Sequence, residues 1–451
     1  MSGEPDPIPI DRGTPRRRVH ARLLAVVLLA ALLRLLLLAD NLASSPDFGV
    51  QDVGAVRAAI SDPTRPFMNS FGFEASNIAY ALVCAGEGYA SPFGGATGPT
   101  AWIAPGVVAL YAAAFALWGC FTAESILFAF VVALAVSLTT TVVVYCIGRR
   151  VGGTAASGLM AALGFAVLPF EAWIFHVNGH LDFNVQVAWF ALLLLAVLRA
   201  HDAARSRRFV ELGLVSSVAA LFNPGFILCT AVALPFLVHR LPAREIARLV
   251  AIVLVVHAVV VGPYVGWQSR RLGGFVPVKS NGAFELALGD TAGSDGVLGD
   301  AVFAAAHPSQ NAAEFRRYRE LGETAYVRRA LATFTRDVQT AEFLGATARR
   351  AYQFFLAYEL KPWDRSKLAV AVKSALWKLP ALSLLLLLVL RRGRLARLEV
   401  LMLVFTLAYA VPYLLTGVME RYRLPMVTTV AVLLALAAVE IGRRAQRRLA
   451  R

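Results

Sequence analysis

Glu74 stands near the start of FEASNIAYALVCAGEGYASPFGGATGPTAWIAP, residues 73–105, a stretch rich in glycine and proline that lies between strongly apolar runs. A carboxylate in the first turn of a short helix beside a bilayer is partly desolvated, and desolvation raises its basicity. Glu74 is therefore suited to take a proton from an attacking hydroxyl. Asp47 and Asp52, earlier in the same polar segment, are the rival acids, whereas Asp40 stands too close to the end of the first apolar run. The complementary groups are cations: Lys279 in VPVKSN, and Arg421 and Arg423 in ERYRLP with Tyr422 between them. Arginine forks match phosphate oxygens, so these residues point to an anionic ligand. Arg270, Arg271, Lys373 and Lys378 are weaker candidates, because cations at helix ends commonly reach for lipid head groups. In FHVNGHLDFN, His176 and His180 have a spacing that holds zinc when carried on a helix, but Asn178 and Gly179 interrupt a helix there. We read His180 and Asp182 as polar lining of a cavity, with Glu171 as a second acid at its rim. The sequence implies no cofactor and leaves a divalent metal open.

The elements that must position these groups are mostly oil. Of 451 residues, 58% are hydrophobic and only 16% charged, and the mean hydropathy is +0.63, which defines an all-α polytopic membrane protein. The net charge of +15 is spread in short clusters between apolar runs and not gathered on one face, so nucleic acid is not an expected partner. A helix needs about 20 apolar residues to cross a bilayer. Candidate spans are 22–39, 124–147, 156–176, 181–199, 209–222, 225–239, 246–264, 371–390, 397–416 and 424–441, with 104–121 as a doubtful addition. If 104–121 lies along the outer surface, the basic clusters at 149–150, 199–208, 239–248, 391–397 and 443–451 share the side of the basic N-terminus. The reading is thus about ten transmembrane helices, with both termini cytoplasmic and a juxtamembrane helix in the first external loop.

The corresponding division is a basic tail (1–21), a bundle (22–264) that includes the first external loop (40–123), an external helical segment (265–370), C-terminal transmembrane helices (371–442) and a second basic tail (443–451). The N-terminal run reads as an uncleaved signal anchor. Within the external segment, Asn311 and Glu314 have capping-box spacing ahead of a helical pattern, which predicts a small helical cap. Spans 209–222 and 225–239 are short and meet at the turn signal Asn223-Pro224, as tilted or shallow helices would. Arg34 is expected to snorkel, pairing with Asp40, and His257 to pack within its helix; Trp102, Trp118, Trp267, Trp363 and Trp377 read as an interfacial belt. The four cysteines imply no disulfide framework by their spacing.

GEGYASPFGGATGPTAWIAP, FVPVKSNGAFELALGD, HPSQNAAEF and RYRLP occur in that order between Glu74 and Pro425. Together they resemble the bacterial membrane glycosyltransferases related to protein O-mannosyltransferases and aminoarabinose transferases, within the GT-C superfamily. The resemblance implies sugar transfer from a polyprenyl-phosphate-linked donor to a protein, lipid or glycan acceptor, with an acid of the first external loop as base. In much of that superfamily the acid belongs to an Asp-Glu pair, whereas here Phe73 precedes Glu74. The departing lipid phosphate is already a stable anion, so the chemistry needs cations to steady it and one carboxylate on the other side. A bacterial plasma membrane is the expected location. The rival class, a transporter or lipid flippase, should place ionisable or helix-breaking residues at the bilayer midplane of paired halves. Here the polar residues gather at the outer edge, which favours the enzyme.

Overall fold

The computed structural model describes residues 16–44, 52–67, 71–168, 181–290, 297–358 and 366–450. Among these residues the chain is helical, with isolated bridges at Ala90–Pro99 and Val297–Val418 in place of strands. Helices α1 (Arg16–Ser44) and α2 (Val53–Ile60) lead to α3 (Phe73–Tyr80), which runs on as a π-helical turn (Ala81–Ala85), and then to α4 (Pro105–Trp118). The bundle continues with α5 (Ala123–Gly152), α6 (Ala155–Val167), α7 (Leu181–Asp202), α8 (Ser206–Ala220), α9 (Gly225–Val238) and α10 (Ala243–Val260). The last of these bends by 46° into α11 (Gly262–Arg271). The cap comprises α12 (Gly282–Gly289), α13 (Asp300–Ala306), α14 (Ala312–Leu321), α15 (Glu323–Asp337) and α16 (Thr340–Phe355). The C-terminal helices are α17 (Lys367–Trp377), α18 (Leu379–Leu390), α19 (Arg397–Thr416) and, after a 3-10 turn (Glu420–Met426), α20 (Val427–Leu449).

This is a multi-pass membrane protein. Among the described residues five stretches are long and apolar enough to cross, and seven if each of two bent helix pairs counts as one span. The expected ten is not reached, because 209–222 and 225–239 form helices of 15 and 14 residues and only 13 residues of 156–176 are seen as α6. The rest of that third run lies outside the described residues. At 14 residues, α4 is also too short to cross by itself, and Pro105 opens it as its fixed φ favours.

Local chemistry explains the elements. Thr122 caps α5 by accepting from Ser125 N, and Thr154 caps α6 by accepting from Ser157 N. Gly148 and Gly158 let these two helices touch: a Cβ at Gly148 would stand 2.5 Å from Ala161 Cβ, and one at Gly158 would stand 2.8 Å from Tyr145 O. The core is centred on α7, whose Phe190, Leu194 and Leu198 are fully buried. Arg34 does not snorkel. It is 2% exposed and donates to Ser137 Oγ at 2.7 Å and to Ala166 O at 3.0 Å, so neighbouring helices satisfy it within the bundle. His257 packs as expected, between Val253 O and Ser216 Oγ.

The first inter-span segment differs from the sequence reading in three ways. Cys84 and Cys120 form a disulfide across 36 residues, because Gly86 (φ +72°) and Gly119 (φ +89°) reverse the chain beside each and α3 packs on α4. Trp102 is 1% exposed and belongs to an aromatic cluster with Phe93, Phe284 and Tyr318, not to an interfacial belt. The spacing along α3 and the turn after it predicts an apolar stripe of Ala75, Ile78, Ala79 and Leu82 with Asn77 on a more polar face; Ala75, Ile78 and Ala79 are buried, but so is Asn77, whose amide donates to Phe67 O and Pro92 O, while Leu82 is 42% exposed. Backbone carbonyls of the connector thus draw a polar residue inward.

The connector itself is riveted to the cap. Glu323, 3% exposed, accepts from Thr100 Oγ1, from Ala101 N at 2.7 Å and from Tyr318 OH at 2.8 Å, and Gln268 donates to Thr100 O at 2.9 Å. Gly95 (φ +64°) is required there, since a Cβ would lie 2.6 Å from the Phe315 ring. Asn311 caps α14 by accepting from Ala313 N and Glu314 N, as its spacing predicts.

A second rivet joins the cap to the bundle. Fully buried Arg350 of α16 donates to Asp290 Oδ1 (2.8 Å), Gly289 O (2.7 Å) and Leu415 O (2.9 Å), so it ties the end of α12 to the end of α19. Breaking a buried pair from one side costs about 3–5 kcal/mol. Arg350→Met is accordingly expected to lower the thermal unfolding midpoint measured in detergent, and Asp290→Asn in the same chain to restore part of it. An unaltered midpoint for the single variant would remove this rivet from the account.

Candidate functional site

A cavity of about 300 Å³ opens between α3, the N-terminal end of α7, the α8–α9 turn, the cap and the end of α19. Glu74 faces it from the first turn of α3. Two successive left-handed residues, Gly72 (φ +82°) and Phe73 (φ +48°), aim the chain there. A Cβ at Gly72 would stand 2.5 Å from the Tyr111 ring, and the non-glycine Phe73 bears a local strain of roughly 1–3 kcal/mol. Glu74 is half-buried, and burial pushes its carboxyl above its ordinary range against the opposing pull of its own backbone N–H, Arg421 and Lys279.

Arg421 is held in the same cavity by rings. Its Cζ lies 5.2 Å from the Phe183 centroid, 5.7 Å from Phe73 and 5.9 Å from Tyr422, and its Nε is buried without a hydrogen-bond partner. A guanidinium on an aromatic platform, with a donor still to be satisfied, is suited to hold an anion. Lys279, on the segment between α11 and α12, supplies a second cation, and Tyr422 stacks on Tyr413 at 4.4 Å.

Other residues complete the wall. Asp182, in the first turn of α7, has a buried carboxylate oxygen without a partner. Glu285 of α12 accepts from Asn281 Nδ2 at 2.9 Å, and burial raises its carboxyl's pKa, with Lys279 opposing and Glu74 assisting. His307 is pushed down to about 3, mainly by burial and then by Lys279 and Arg421, so it is a neutral ring. Its Nδ1 accepts from Ser309 N at 3.1 Å, which leaves Nε2 to carry the proton.

The cavity therefore unites five sequence-predicted residues, Glu74, Asp182, Lys279, Arg421 and Tyr422. Arg423 is not among its lining; it is 5% exposed, its Cζ lies 3.6 Å from the Trp377 centroid and it donates to Trp377 O. Asp52 caps α2 by accepting from Gly54 N. Asp47, His176, His180 and Glu171 lie outside the described residues. Arg271 rests 4.8 Å from the Trp267 ring and donates to Tyr89 O, and Lys373 stands 6.0 Å from the Tyr358 ring. Glu285, Asn281, His307, Gln186 and Asn223 were not read as site residues. Glu285, Asn281 and His307 fall inside the quoted motifs, whereas Asn223 signalled only a turn. Among the described residues no three His, Cys, Asp or Glu side chains converge to hold a metal ion.

The fold of this helical membrane bundle, with its charged cavity beneath the cap, has likenesses among solved structures. The archaeal oligosaccharyltransferase AglB from Archaeoglobus fulgidus, in complex with an inhibitory peptide and a dolichol-phosphate, matches at a TM-score of 0.51 and 15% identity, over 97% of this chain and 52% of that one. The apo form of the Archaeoglobus fulgidus oligosaccharyltransferase matches at 0.50 and 14%, over 95% and 51%. Its complex with Zn and sulfate matches at 0.50 and 15%, over 94% and 50%. The chain thus spans about half the length of the solved structures it resembles, and at these identities the likeness is one of fold. No protein family and no curated protein matches the sequence.

Proposed function

We propose that this protein is a membrane glycosyltransferase that moves a sugar from a polyprenyl-phosphate-linked donor to an acceptor hydroxyl at the extracytoplasmic face. The observation that carries this reading is the meeting, in one cavity, of a basic carboxylate (Glu74) with two cations, one of them an aromatic-caged arginine with an open donor. Glu74 accepts the acceptor's proton as the hydroxyl oxygen bonds to the anomeric carbon. The bond from that carbon to the phosphate oxygen breaks, its electron pair stays on the phosphate, and Arg421 and Lys279 stabilise the charge. Asp182 and Glu285 sit beside this path as polarising neighbours, and no step runs through an ion.

The fold neighbour's dolichol-phosphate supports a lipid-phosphate donor here. The Cys84–Cys120 bridge supports an oxidising, extracytoplasmic side for the first loop. The basic clusters support cytoplasmic termini, and the Ala/Leu/Arg-heavy composition supports a bacterial plasma membrane. The test is release of polyprenyl phosphate from polyprenyl-phosphate sugars by the full chain reconstituted in membranes with serine-containing peptides, lipids or glycans as acceptors. Release that requires an acceptor is expected. Gradient-driven movement of the intact donor, without release, would instead identify a flippase.

A further inference from the structure

The cavity has a charged rim and a neutral floor, and the floor has a fixed hydrogen-bond polarity. Its orientation follows from one backbone group. Gly225 N–H donates to Asn223 Oδ1 at 2.9 Å, and since a backbone N–H cannot accept, Asn223 must turn its Nδ2 toward the cavity. Both protons of that amide are used, one on Gln186 Oε1 at 2.9 Å and one on Tyr413 OH at 2.8 Å. Gln186 therefore has its carbonyl committed, and its NH₂, with two donors, is the end left for a ligand. On the same cavity wall Asn281, 2% exposed, gives its Nδ2 to Glu285 and has a buried Oδ1 without a partner.

Depth separates this floor from the cations. Gln186 follows Asp182 by four residues on α7, about 6 Å along the helix axis and away from its N-terminal end. The turn at Asn223 is sunken too, because α8 and α9 have 15 and 14 residues and reach about 22 Å, short of the roughly 30 Å hydrocarbon layer. A phosphate belongs with Arg421 and Lys279. What suits fixed amide donors and an amide acceptor is a neutral group whose every polar atom both donates and accepts: a polyhydroxyl ring.

We infer that the floor is a carbohydrate-reading site in which Gln186, oriented by Asn223, selects the configuration of a ring hydroxyl on the transferred sugar. This inference rests on the glycosyltransferase reading and deepens it. A half-buried amide donor that loses its hydroxyl partner beneath a bound ring is left unsatisfied, so sugars that differ at one carbon are separated.

The probes are short-chain polyprenyl phosphate esters of glucose, mannose and galactose, and of xylose and its 4-epimer arabinose, given to the full chain in membranes. The expected result is that the wild type prefers one epimer of a pair by tenfold or more in kcat/KM. Gln186→Met, of equal length but without the amide, should bring that ratio to within about threefold. Gln186→Glu, which replaces donors by an acceptor, serves as the second variant and should also alter the ratio. Retention of the wild-type ratio in the variants that fold, or equal use of all epimers by the wild type, overturns the inference alone. Failure of the wild type to release polyprenyl phosphate from any probe overturns the glycosyltransferase reading and this inference with it.

Discussion

Glu74→Gln is expected to reduce sugar transfer by about 10²- to 10⁴-fold, the usual span for loss of a general base, while donor binding changes only a few-fold. Glutamine keeps the shape of the half-buried side chain and removes its ability to take a proton, so folding should be retained. The pH dependence supplies a second readout. Burial raises the pKa of this carboxyl, and only its ionised form acts as base. The wild-type rate is therefore full above the raised pKa and falls as pH drops through it, at a pH above the ordinary glutamate value of about 4.3. That acid limb should vanish in the variant. Because Glu285 is raised for the same reason, the limb belongs to Glu74 only if its replacement removes it. Undiminished turnover would transfer the role to Asp182 or Glu285, which Asp182→Asn and Glu285→Gln then separate, or to Asp47 or Asp52.

Arg421→Ala is expected to lower kcat/KM for the lipid-linked donor by about 10²- to 10³-fold, the scale seen when one preorganised donor to a developing anion is removed. The three rings around the guanidinium fix it in place before the donor arrives, so little reorganisation is needed when charge develops. Arg421→Lys should recover little, since an ammonium lacks both the fork and the stacking. The neighbouring Arg423→Ala is the contrast. It loses the Trp377 ring and its buried bond to Trp377 O, so its effect should fall on stability more than on the donor constant. An Arg421→Ala enzyme with unchanged donor kinetics would make Arg421 a packing residue and leave Lys279 as the anion site.

The sequence was most informative where one residue type carries one physical meaning. Apolar runs gave the helices, Pro105 gave the start of α4, and Asn311 gave the cap of α14. Glu74, Lys279, Arg421 and Tyr422 were legible because charge and glycine-proline breaks stand out against oil. The ten spans are matched by five to seven among the described residues, because α6, α8 and α9 have only 13 to 15 helical residues each, a length that hydropathy does not report. Arg423 and Arg421 are indistinguishable in RYRLP, since two residues of a 3-10 turn point to different sides. The amides of the floor were invisible for another reason: Asn223 and Gln186 are separated by 37 positions, and only the fold reveals that one orients the other. The disulfide, likewise, depends on two glycine reversals that cysteine spacing does not encode.

The cavity's acids Glu74 and Asp182 come from early in the chain, while Arg421 and Tyr422 come from the turn before the last helix. On the proposed reading, a nascent chain made only as far as α19 has the base but not the aromatic-caged guanidinium that would receive the phosphate. On that reading, donor cleavage by half-made protein waits for the turn that follows α19.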